Sequence, residues 1–169
     1  MSFVDPYAHP VTAALCEELA GMRETFIGLA KDMRFIDWPE PIYEGKWEVS
    51  SFKYRHQIIA GQFGEAAKAA LEKLEVVHRP EIQTCGFSLL RPGADIKWHM
   101  GQAGDIWRLH FGLVCPEGDC ALQVCDETKR WETGGFFMFN DQNLHRAWNR
   151  TESDRLILLV DIDKSKLAA

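Results

Sequence analysis

One segment, residues 87–114 (FSLLRPGADIKWHMGQAGDIWRLHFGLV), constrains the fold of this chain most strongly. It predicts two short apolar strands joined by a connector rich in Pro and Gly, and His99 lies in that connector. Side chains on a strand alternate between its two faces, so Arg108 and His110 share one face of the predicted strand Trp107–Val114. The apolar residues between them take the opposite face. The polar face therefore either meets solvent or lines a polar cavity.

Composition limits the class of protein. The 169 residues suffice for one domain with a substantial core, and the formal net charge of −6 argues against a nucleic-acid or acidic membrane surface. No apolar run reaches the ~18 residues of a membrane span. The N-terminal residues 1–21 carry Asp5 and have no basic region before their apolar stretch, so we do not expect a secretory signal. A cytoplasmic location is the resulting expectation.

The cysteines do not have the spacing of a zinc site. Of the five, Cys115, Cys120 and Cys125 fall at intervals of five, which matches neither a CxxC pair nor one face of a strand. Reduced thiols are predicted for a cytosolic protein, and a Cys115–Cys125 disulfide across a hairpin is the less favoured alternative.

The N-terminal half predicts mainly helices. Apolar residues recur at three-four spacing from Val11 to Met33, typical of an amphipathic helix, and Pro10 suits its first turn. A second helix is predicted from Gln57 to Val77, ended by the following proline. Between them, Trp47–Tyr54 alternates loosely, like an edge strand.

The C-terminal half predicts short strands separated by turn residues such as Pro92-Gly93 and Gly134-Gly135. Many short strands at such spacing favour a sandwich or jelly roll, and with the helices they predict one α+β unit. The predicted strands are Ile82–Leu90, Ile106–Val114, Ala121–Cys125, Phe136–Asn140, Ala147–Arg150 and Arg155–Ile162.

Three of the six histidines, His99, His110 and His145, lie in the β-half. Each taken alone is more often a structural histidine. As a set with Arg108 and Arg155 they favour a site, because neutral imidazole is a good ligand for iron, copper or zinc. A purely structural β-domain is the alternative.

A family resemblance makes this hypothesis specific. The segments FSLLRPGADIKWHMG, RLHFGL, DETKRWETGGFFMFND, LHRAWN and DRLILLVDI, within residues 85–163, closely resemble the aspartyl/asparaginyl β-hydroxylases. The resemblance implies a double-stranded β-helix (jelly-roll, cupin-like) core with N-terminal helices packed against it. Residues 1–169 then form a single domain, with 1–80 as mainly helical support and 81–163 as catalytic core. It also implies an oxygenase that uses Fe(II), 2-oxoglutarate and O2.

By the same resemblance, His99 and His145 are the iron ligands. Most oxygenases of this chemistry add a carboxylate two residues after the first histidine. Gly101 stands at that position here, a gap that is itself a feature of the family, where water takes the vacant position.

The cosubstrate residues also follow from the resemblance. Arg155, helped by the Ser88 hydroxyl, is expected to bind the distal carboxylate of 2-oxoglutarate, because a guanidinium matches a carboxylate in a bidentate manner. Arg108 and His110 are expected near the carboxylate that chelates iron, or near the substrate. Alternatively, Ser88 is a plain strand hydroxyl and Arg155 a salt-bridged rim residue.

Other matched residues are expected to have structural or peripheral roles. Asp141 is predicted to organise the loop before His145 through side-chain–backbone bonds. Four residues are assigned to turns and packing: Trp131, Gly134, Phe139 and Trp148. Three are placed at a substrate mouth or among exposed packing residues: Trp98, Met100 and Trp107.

Two departures from the family pattern bear on the substrate. Gly86 and Ile106 occupy positions where family members that act on aspartate are understood to carry basic residues, so an acidic side chain meets fewer positive partners. The predicted reaction is hydroxylation of an unactivated C–H, at the β-carbon of an Asp/Asn-like residue in a peptide, or of a free amino acid or small metabolite. Neither nucleic acid nor membrane is an expected partner. The alternatives are a halogenase that places chloride beside Gly101 and a non-catalytic cupin-like binding module.

Overall fold

A computed structural model describes residues 2–59, 65–101 and 104–167 of the chain, with the side chains of residues 65–67 left out. Its helices are α1 (Pro10–Ala20), α2 (Arg23–Asp32) and α3 (Glu65–Glu72). The strands of the first half are β1 (Phe3–Val4), β2 (Ile36–Asp37), β3 (Tyr43–Glu44), β4 (Trp47–Tyr54) and β5 (Gln57–Ile58). Those of the second half are β6 (Ile82–Leu90), β7 (Asp95–His99), β8 (Ile106–Val114), β9 (Cys120–Val124), β10 (Glu127–Arg130), β11 (Phe136–Asn140), β12 (His145–Asn149) and β13 (Arg155–Asp163).

Two antiparallel sheets form the double-stranded β-helix that the sequence predicts. Within the described ranges, the major sheet runs β1-β11-β8-β13-β6-β4-β2, with β5 paired to β4. The minor sheet runs β10-β9-β12-β7-β3. The inner faces of the two sheets share one apolar core, to which Leu90 and Ile157 contribute from the major sheet and Ile96 and Leu122 from the minor sheet. The polar cavity described below lies within this layer.

The helices pack on the outer face of the major sheet, as predicted. Phe26 of α2 lies 6.4 Å from Phe52 of β4 and 6.3 Å from Phe87 of β6, measured between ring centroids. All three rings are buried, and burying a side chain of this size contributes about 1.5–3 kcal/mol. The helical layer thus fixes the strands whose opposite faces line the cavity. No helix in the described ranges is long and apolar enough to cross a membrane.

The first helix prediction is wrong in its continuity. In place of one helix from Val11 to Met33, α1 and α2 are separated at Gly21 and Met22. The Met22 N–H bonds to the Leu19 carbonyl, three residues back, which tightens the last turn of α1 and redirects the chain. The apolar spacing alone does not report this break.

The second helix prediction is wrong at both ends. Gln57–Ile58 pairs with β4 as strand β5, and residues 60–64 lie outside the described ranges. The α-helix covers Glu65–Glu72, and a 3-10 turn at Glu75–His78 follows it. The predicted strand Trp47–Tyr54 is confirmed, although it lies inside the sheet between β6 and β2.

The six strands predicted in the second half are present, with small shifts in their ends. The main correction concerns His99, which ends strand β7 and does not lie in an irregular connector. Strand β12 begins at His145, two residues before the predicted start. The predicted Pro92-Gly93 turn is confirmed, and Gly93 has the positive φ of 81° that a turn of this kind requires. All five cysteines are free thiols, so the Cys115–Cys125 disulfide is absent.

Candidate active site

The cavity between the two sheets holds about 370 Å³ of empty space, including open solvent. The structure brings all six residues predicted for metal and cosubstrate binding to its wall: Ser88, His99, Arg108, His110, His145 and Arg155. His99 and His145 come from the minor sheet, and the other four come from the major sheet. Residues far apart in sequence therefore meet in one polar pocket, as the alternation of Arg108 and His110 predicts.

The two histidines meet because β7 and β12 are neighbours and His145 is the register partner of His99. Their ring centroids are 4.2 Å apart. The Nδ1 atoms contact backbone carbonyls, that of Lys97 at 2.7 Å from His99 and that of Asn143 at 2.6 Å from His145. A carbonyl only accepts, so each Nδ1 carries the proton and each Nε2 keeps its lone pair. This is the tautomer and orientation of metal-binding histidines.

His145 is neutral near pH 7. Burial is the main cause that lowers the pKa of its imidazole to about 4. The 3.7 Å contact between its Nε2 and Asp141 Oδ1 is therefore not an ion pair at neutral pH, although the distance falls within the range of one. A neutral imidazole is the form that binds a metal.

Asp141 occupies the space beside Gly101. A Cβ added to Gly101 would lie 1.8 Å from Asp141 Oδ2, so the carboxylate fills the position into which a side chain at residue 101 would project. In the same loop, the side chain of Asn140 accepts the Gln142 N–H at 3.0 Å. Asp141 is thus a site residue that the sequence analysis placed only in the loop.

The donor set fits a two-histidine metal site. In the described part of the chain, no group of three or more His, Cys, Asp or Glu side chains is arranged to hold a metal ion. The two convergent imidazoles could supply two nitrogen donors to a metal and would leave its other coordination positions to small ligands. Iron(II) suits such a site, because it accepts nitrogen and oxygen donors and works with open positions.

Arg155 is a buried cation at the closed end of the cavity. Its side chain is 2% exposed, and its Nη2 donates to Ser88 Oγ at 2.7 Å. The guanidinium carbon lies 4.3 Å from the centre of the Trp131 ring. Within the described ranges it has no salt bridge, and its Nε has no hydrogen-bond partner. Burial lowers the pKa of Arg155 to about 10, so the group stays charged near pH 7 and calls for an anion.

The Ser88 hydroxyl adds a second donor at this end. Its oxygen accepts hydrogen bonds from Trp47 Nε1 at 2.9 Å and from Arg155. Both lone pairs are then used, which leaves the hydroxyl proton to be donated to a ligand.

His110 provides a third donor. Trp131 Nε1 donates to His110 Nδ1 at 3.2 Å, and an indole N–H can only donate, so the proton of His110 is on Nε2. That Nε2 is buried and has no partner among the described residues. Burial first, and then the charge of Arg155, lower the pKa of His110 well below its ordinary value. Trp131, assigned to packing by the sequence, therefore orients His110 and supports Arg155.

Arg108, unlike Arg155, has its charge balanced by neighbouring carboxylates. Its Nε and Nη2 donate to the Asp161 carboxylate at 2.7 and 2.9 Å, and its Nη1 lies 2.9 Å from Asp141 Oδ1. Burial disfavours its charge, but the Asp161 and Asp141 carboxylates more than offset this and raise its pKa. Asp161 was missed by the sequence analysis, although a charged residue inside the apolar run LILLVDI is a usable signal.

Two of the three residues predicted at the substrate mouth lie at the rim of the cavity, and the third does not. Met100, 67% exposed, and Trp98, 42% exposed, flank His99 at the rim. Trp107 is a packing residue, which was the alternative given for it: it packs against the helical core on the outer face, with Lys164 Nζ 5.1 Å from its ring centre. Trp47, which holds Ser88, was not predicted to contribute to the site.

The structure is thus a double-stranded β-helix whose cavity holds two facing histidines and a buried arginine. A solved structure of a 2OG-Fe(II) oxygenase-family oxidoreductase from Burkholderia pseudomallei shares this fold, with a TM-score of 0.58 over 83% of this chain and 78% of that one, at 10% identity. The family model for aspartyl/asparaginyl beta-hydroxylase matches residues 10–165. The chain belongs to this family.

Two curated relatives illustrate its range. An ornithine lipid ester-linked acyl 2-hydroxylase from Rhizobium tropici is 35% identical over 98 residues, which cover 57% of this chain and 33% of that protein. Human aspartyl/asparaginyl beta-hydroxylase is 37% identical over 76 residues, which cover 45% of this chain and 10% of the human protein. The matched region is thus a third or less of either relative.

Proposed function

We propose that this protein is an Fe(II)- and 2-oxoglutarate-dependent dioxygenase that hydroxylates an unactivated C–H bond. The observation that carries the proposal is the placement, in one cavity, of two convergent imidazoles and a buried guanidinium without a counterion in the described residues. A diacid with a metal-chelating end needs both features.

His99 and His145 would hold the iron through their Nε2 atoms. Held there, the iron would activate O2, whose two oxygen atoms would go to the substrate and to succinate while 2-oxoglutarate loses CO2. The backbone carbonyls that accept from both Nδ1 atoms fix the orientation of the rings. The Asp141 carboxylate, 3.7 Å from His145 Nε2, is placed to accept a hydrogen bond from a water molecule at the site.

Arg155 and Ser88 would bind the distal carboxylate of 2-oxoglutarate. Each hydrogen bond to a charged group contributes about 1.5–3 kcal/mol, and the carboxylate would also balance the buried charge of Arg155. The unpaired Nε2–H of His110 would donate to the metal-side end of the cosubstrate. Arg108 would face that end or the substrate while its charge is balanced by Asp161 and Asp141.

The substrate proposed is a small molecule or peptide with an aliphatic C–H near the metal site. The names of the two relatives differ in substrate, a lipid acyl group in one and aspartyl or asparaginyl residues in the other. What they share is hydroxylation, and that is the activity we carry over to this chain.

The test is anaerobic titration with Fe(II) and then 2-oxoglutarate, followed by exposure to O2 and measurement of succinate. A substrate panel with mass detection then seeks products heavier by one oxygen atom. His99→Ala and His145→Ala should lose iron binding and turnover. His78→Ala is the matched control, because His78 is exposed and bonds only to the Glu72 carbonyl among its described contacts. Full activity of either site variant would overturn the ligand assignment.

Of the rival functions, a halogenase is less favoured by the geometry. The space beside Gly101, where a chloride would bind, is filled by the Asp141 carboxylate, and two anions at that distance repel. Product masses measured with and without chloride separate the two reactions. Oxygen-dependent formation of succinate excludes a binding module without turnover.

A further inference from the structure

Strand β7 carries one residue more than its partner β12 just before the metal-site histidine. His99 is the register partner of His145, and the next paired positions are Ile96 and Ala147, so three steps along β7 match two along β12. In a regular strand, residues three apart point to opposite faces. Here Ile96 and His99 both line the cavity between the sheets, and the two residues between them are both exposed. The strand therefore contains a β-bulge, which turns the His99 side chain inward.

The bulge decides whether His99 faces a metal at all. Without the extra residue, the alternation of the strand would turn Trp98 into the cavity and His99 out of it. On one side the bulge is held by backbone bonds: the Lys97 N–H donates to the Ile42 carbonyl at 2.8 Å, and the Lys97 carbonyl contacts His99 Nδ1 at 2.7 Å. On the other side, toward β12, side chains on the outer face of the sheet make the contact.

Arg146 is the centre of that outer contact. It follows one of the two histidines in the sequence, and Trp98 precedes the other. The guanidinium carbon of Arg146 lies 4.9 Å from the centre of the Trp98 ring and 5.1 Å from that of Trp148. Its Nε donates to Gln123 Oε1 on β9 at 2.9 Å. One side chain on β12 thus contacts the strands on both of its sides, directly behind the pair of imidazoles.

Resting on the proposed function, we propose that Arg146 is a positioning residue for the iron site. By holding the Trp98 ring on the outer face, it keeps the bulge of β7 in place and the His99 imidazole turned toward that of His145. Arg146 lies outside the cavity and acts on the site only through its neighbours. Tryptophan is the ring that a guanidinium binds best, and the contribution of one partly exposed contact is modest. The expected effect is therefore on the affinity and geometry of the metal site, in a chain that still folds.

The test uses the full-length protein with Co(II) alone as the probe, since Co(II) binds to nitrogen and oxygen donors as Fe(II) does. Its visible absorption reports both affinity and coordination geometry. Arg146→Met keeps the length of the side chain and removes its charge. It should weaken Co(II) about threefold to fivefold, the size of one cation–π contact, and change the shape of the absorption bands. Arg146→Lys restores a cation and should recover most of the affinity. Urea unfolding of the metal-free variants measures any separate loss of stability.

Arg150→Met is the matched control. The Arg150 guanidinium also lies over the Trp148 ring, at 4.9 Å, and pairs with Asp119, but none of its described contacts is with β7. This variant should leave the affinity and the spectrum of Co(II) unchanged. An equal loss of Co(II) affinity in Arg150→Met and Arg146→Met would overturn the proposal. So would an Arg146→Met protein that is less stable in urea but binds Co(II) normally, because Arg146 would then serve only the fold.

Trp98→Ala tests the route through the bulge. It removes the other partner of the contact, so it should weaken Co(II) as much as Arg146→Met does, and the double variant should lose little more than either single one. Normal Co(II) binding by Trp98→Ala would overturn the route. His99→Ala separates this proposal from the proposed function. If His99→Ala abolishes Co(II) binding and Arg146→Met does not weaken it, only the positioning role fails. If His99→Ala binds Co(II) normally, the metal site itself fails.

Discussion

The two arginines of the cavity differ in their electrical surroundings. Arg108, at the open end, makes a bidentate salt bridge with Asp161 and a second salt bridge with Asp141. Arg155, at the closed end, has a serine, a carbonyl and a tryptophan ring around it and no acid in the described part of the chain. Arg155 is buried and Arg108 is half-buried, and their pKa values move in opposite directions from that of a free arginine.

The difference shows which cation serves the fold and which serves a ligand. A buried charge with its partners in place is part of the structure, whereas one without them costs free energy that an incoming anion recovers. Arg155, at the closed end, is therefore available to bind a carboxylate. Arg108, at the open end, is already paired with carboxylates and does not attract another. In the proposed function, this contrast is what would orient 2-oxoglutarate in the cavity, with its distal carboxylate on Arg155 and away from Arg108.

The largest expected effect is on stability at the open end. Arg108→Met leaves Asp161 and Asp141 buried without their cation, and breaking such a pair costs about 3–5 kcal/mol. Urea unfolding of the metal-free protein should show this loss. Arg150→Met is the control, because its pair with Asp119 is exposed and should contribute less than about 1 kcal/mol.

A partner substitution sharpens this prediction. Adding Asp161→Asn to Arg108→Met removes one of the two stranded charges, so the double variant should be more stable than the sum of the two single changes. Strict additivity of the two changes would show that the ion pair is not what stabilises the open end.

The second effect is on ligand binding at the closed end. Arg155→Met should weaken 2-oxoglutarate by about 2–4 kcal/mol, roughly 30- to 1000-fold, because the distal carboxylate loses its only cation among the described residues. The metal-free protein should not lose stability, since an unbalanced buried charge is replaced by an apolar chain of similar length. Calorimetry of 2-oxoglutarate binding and urea unfolding measure the two parts. If Arg155→Met bound 2-oxoglutarate normally but lost stability, Arg155 would serve the fold and not the ligand.

The sequence accounts for most of the closed end and little of the open end. Ser88, His110 and Arg155 follow from the family motifs, and strand alternation places His110 beside Arg108. The pair of Arg108 and Asp161 depends on the register of β8 against β13, across 53 residues, and no local pattern reports a register.

The same limit explains the errors in secondary structure. Strand β10 (Glu127–Arg130) is exposed along its whole length, so it lacks the apolar alternation that reveals a half-buried strand. His99 belongs to a strand because β7 pairs with β12. The Pro and Gly residues around it predicted a connector instead. In both cases the strand forms because of pairing with a distant segment, and the local sequence does not show that pairing.

The third effect tests whether the open end has room for another acid. Gly101→Asp places a Cβ where Asp141 Oδ2 now lies, so we expect a loss of about 1–3 kcal/mol in stability and no gain in iron affinity. Gly28→Asp is the control, because nothing lies within 4 Å of a Cβ there. Iron titration and thermal unfolding provide the readouts. Tighter iron binding by the variant would mean that residue 101 can supply a third ligand after all.

The smallest effect concerns the support of Ser88. Trp47→Phe keeps the aromatic packing against Trp38 but removes the N–H that donates to Ser88 Oγ at 2.9 Å. The hydroxyl then has a free lone pair and is less strictly oriented as a donor, so 2-oxoglutarate affinity should fall about fivefold, equivalent to about 1 kcal/mol. Trp98→Phe, at the exposed rim, should leave that affinity unchanged. Equal losses in both variants would point to general loosening of the barrel, and only a loss confined to Trp47→Phe supports a closed end built around one carboxylate.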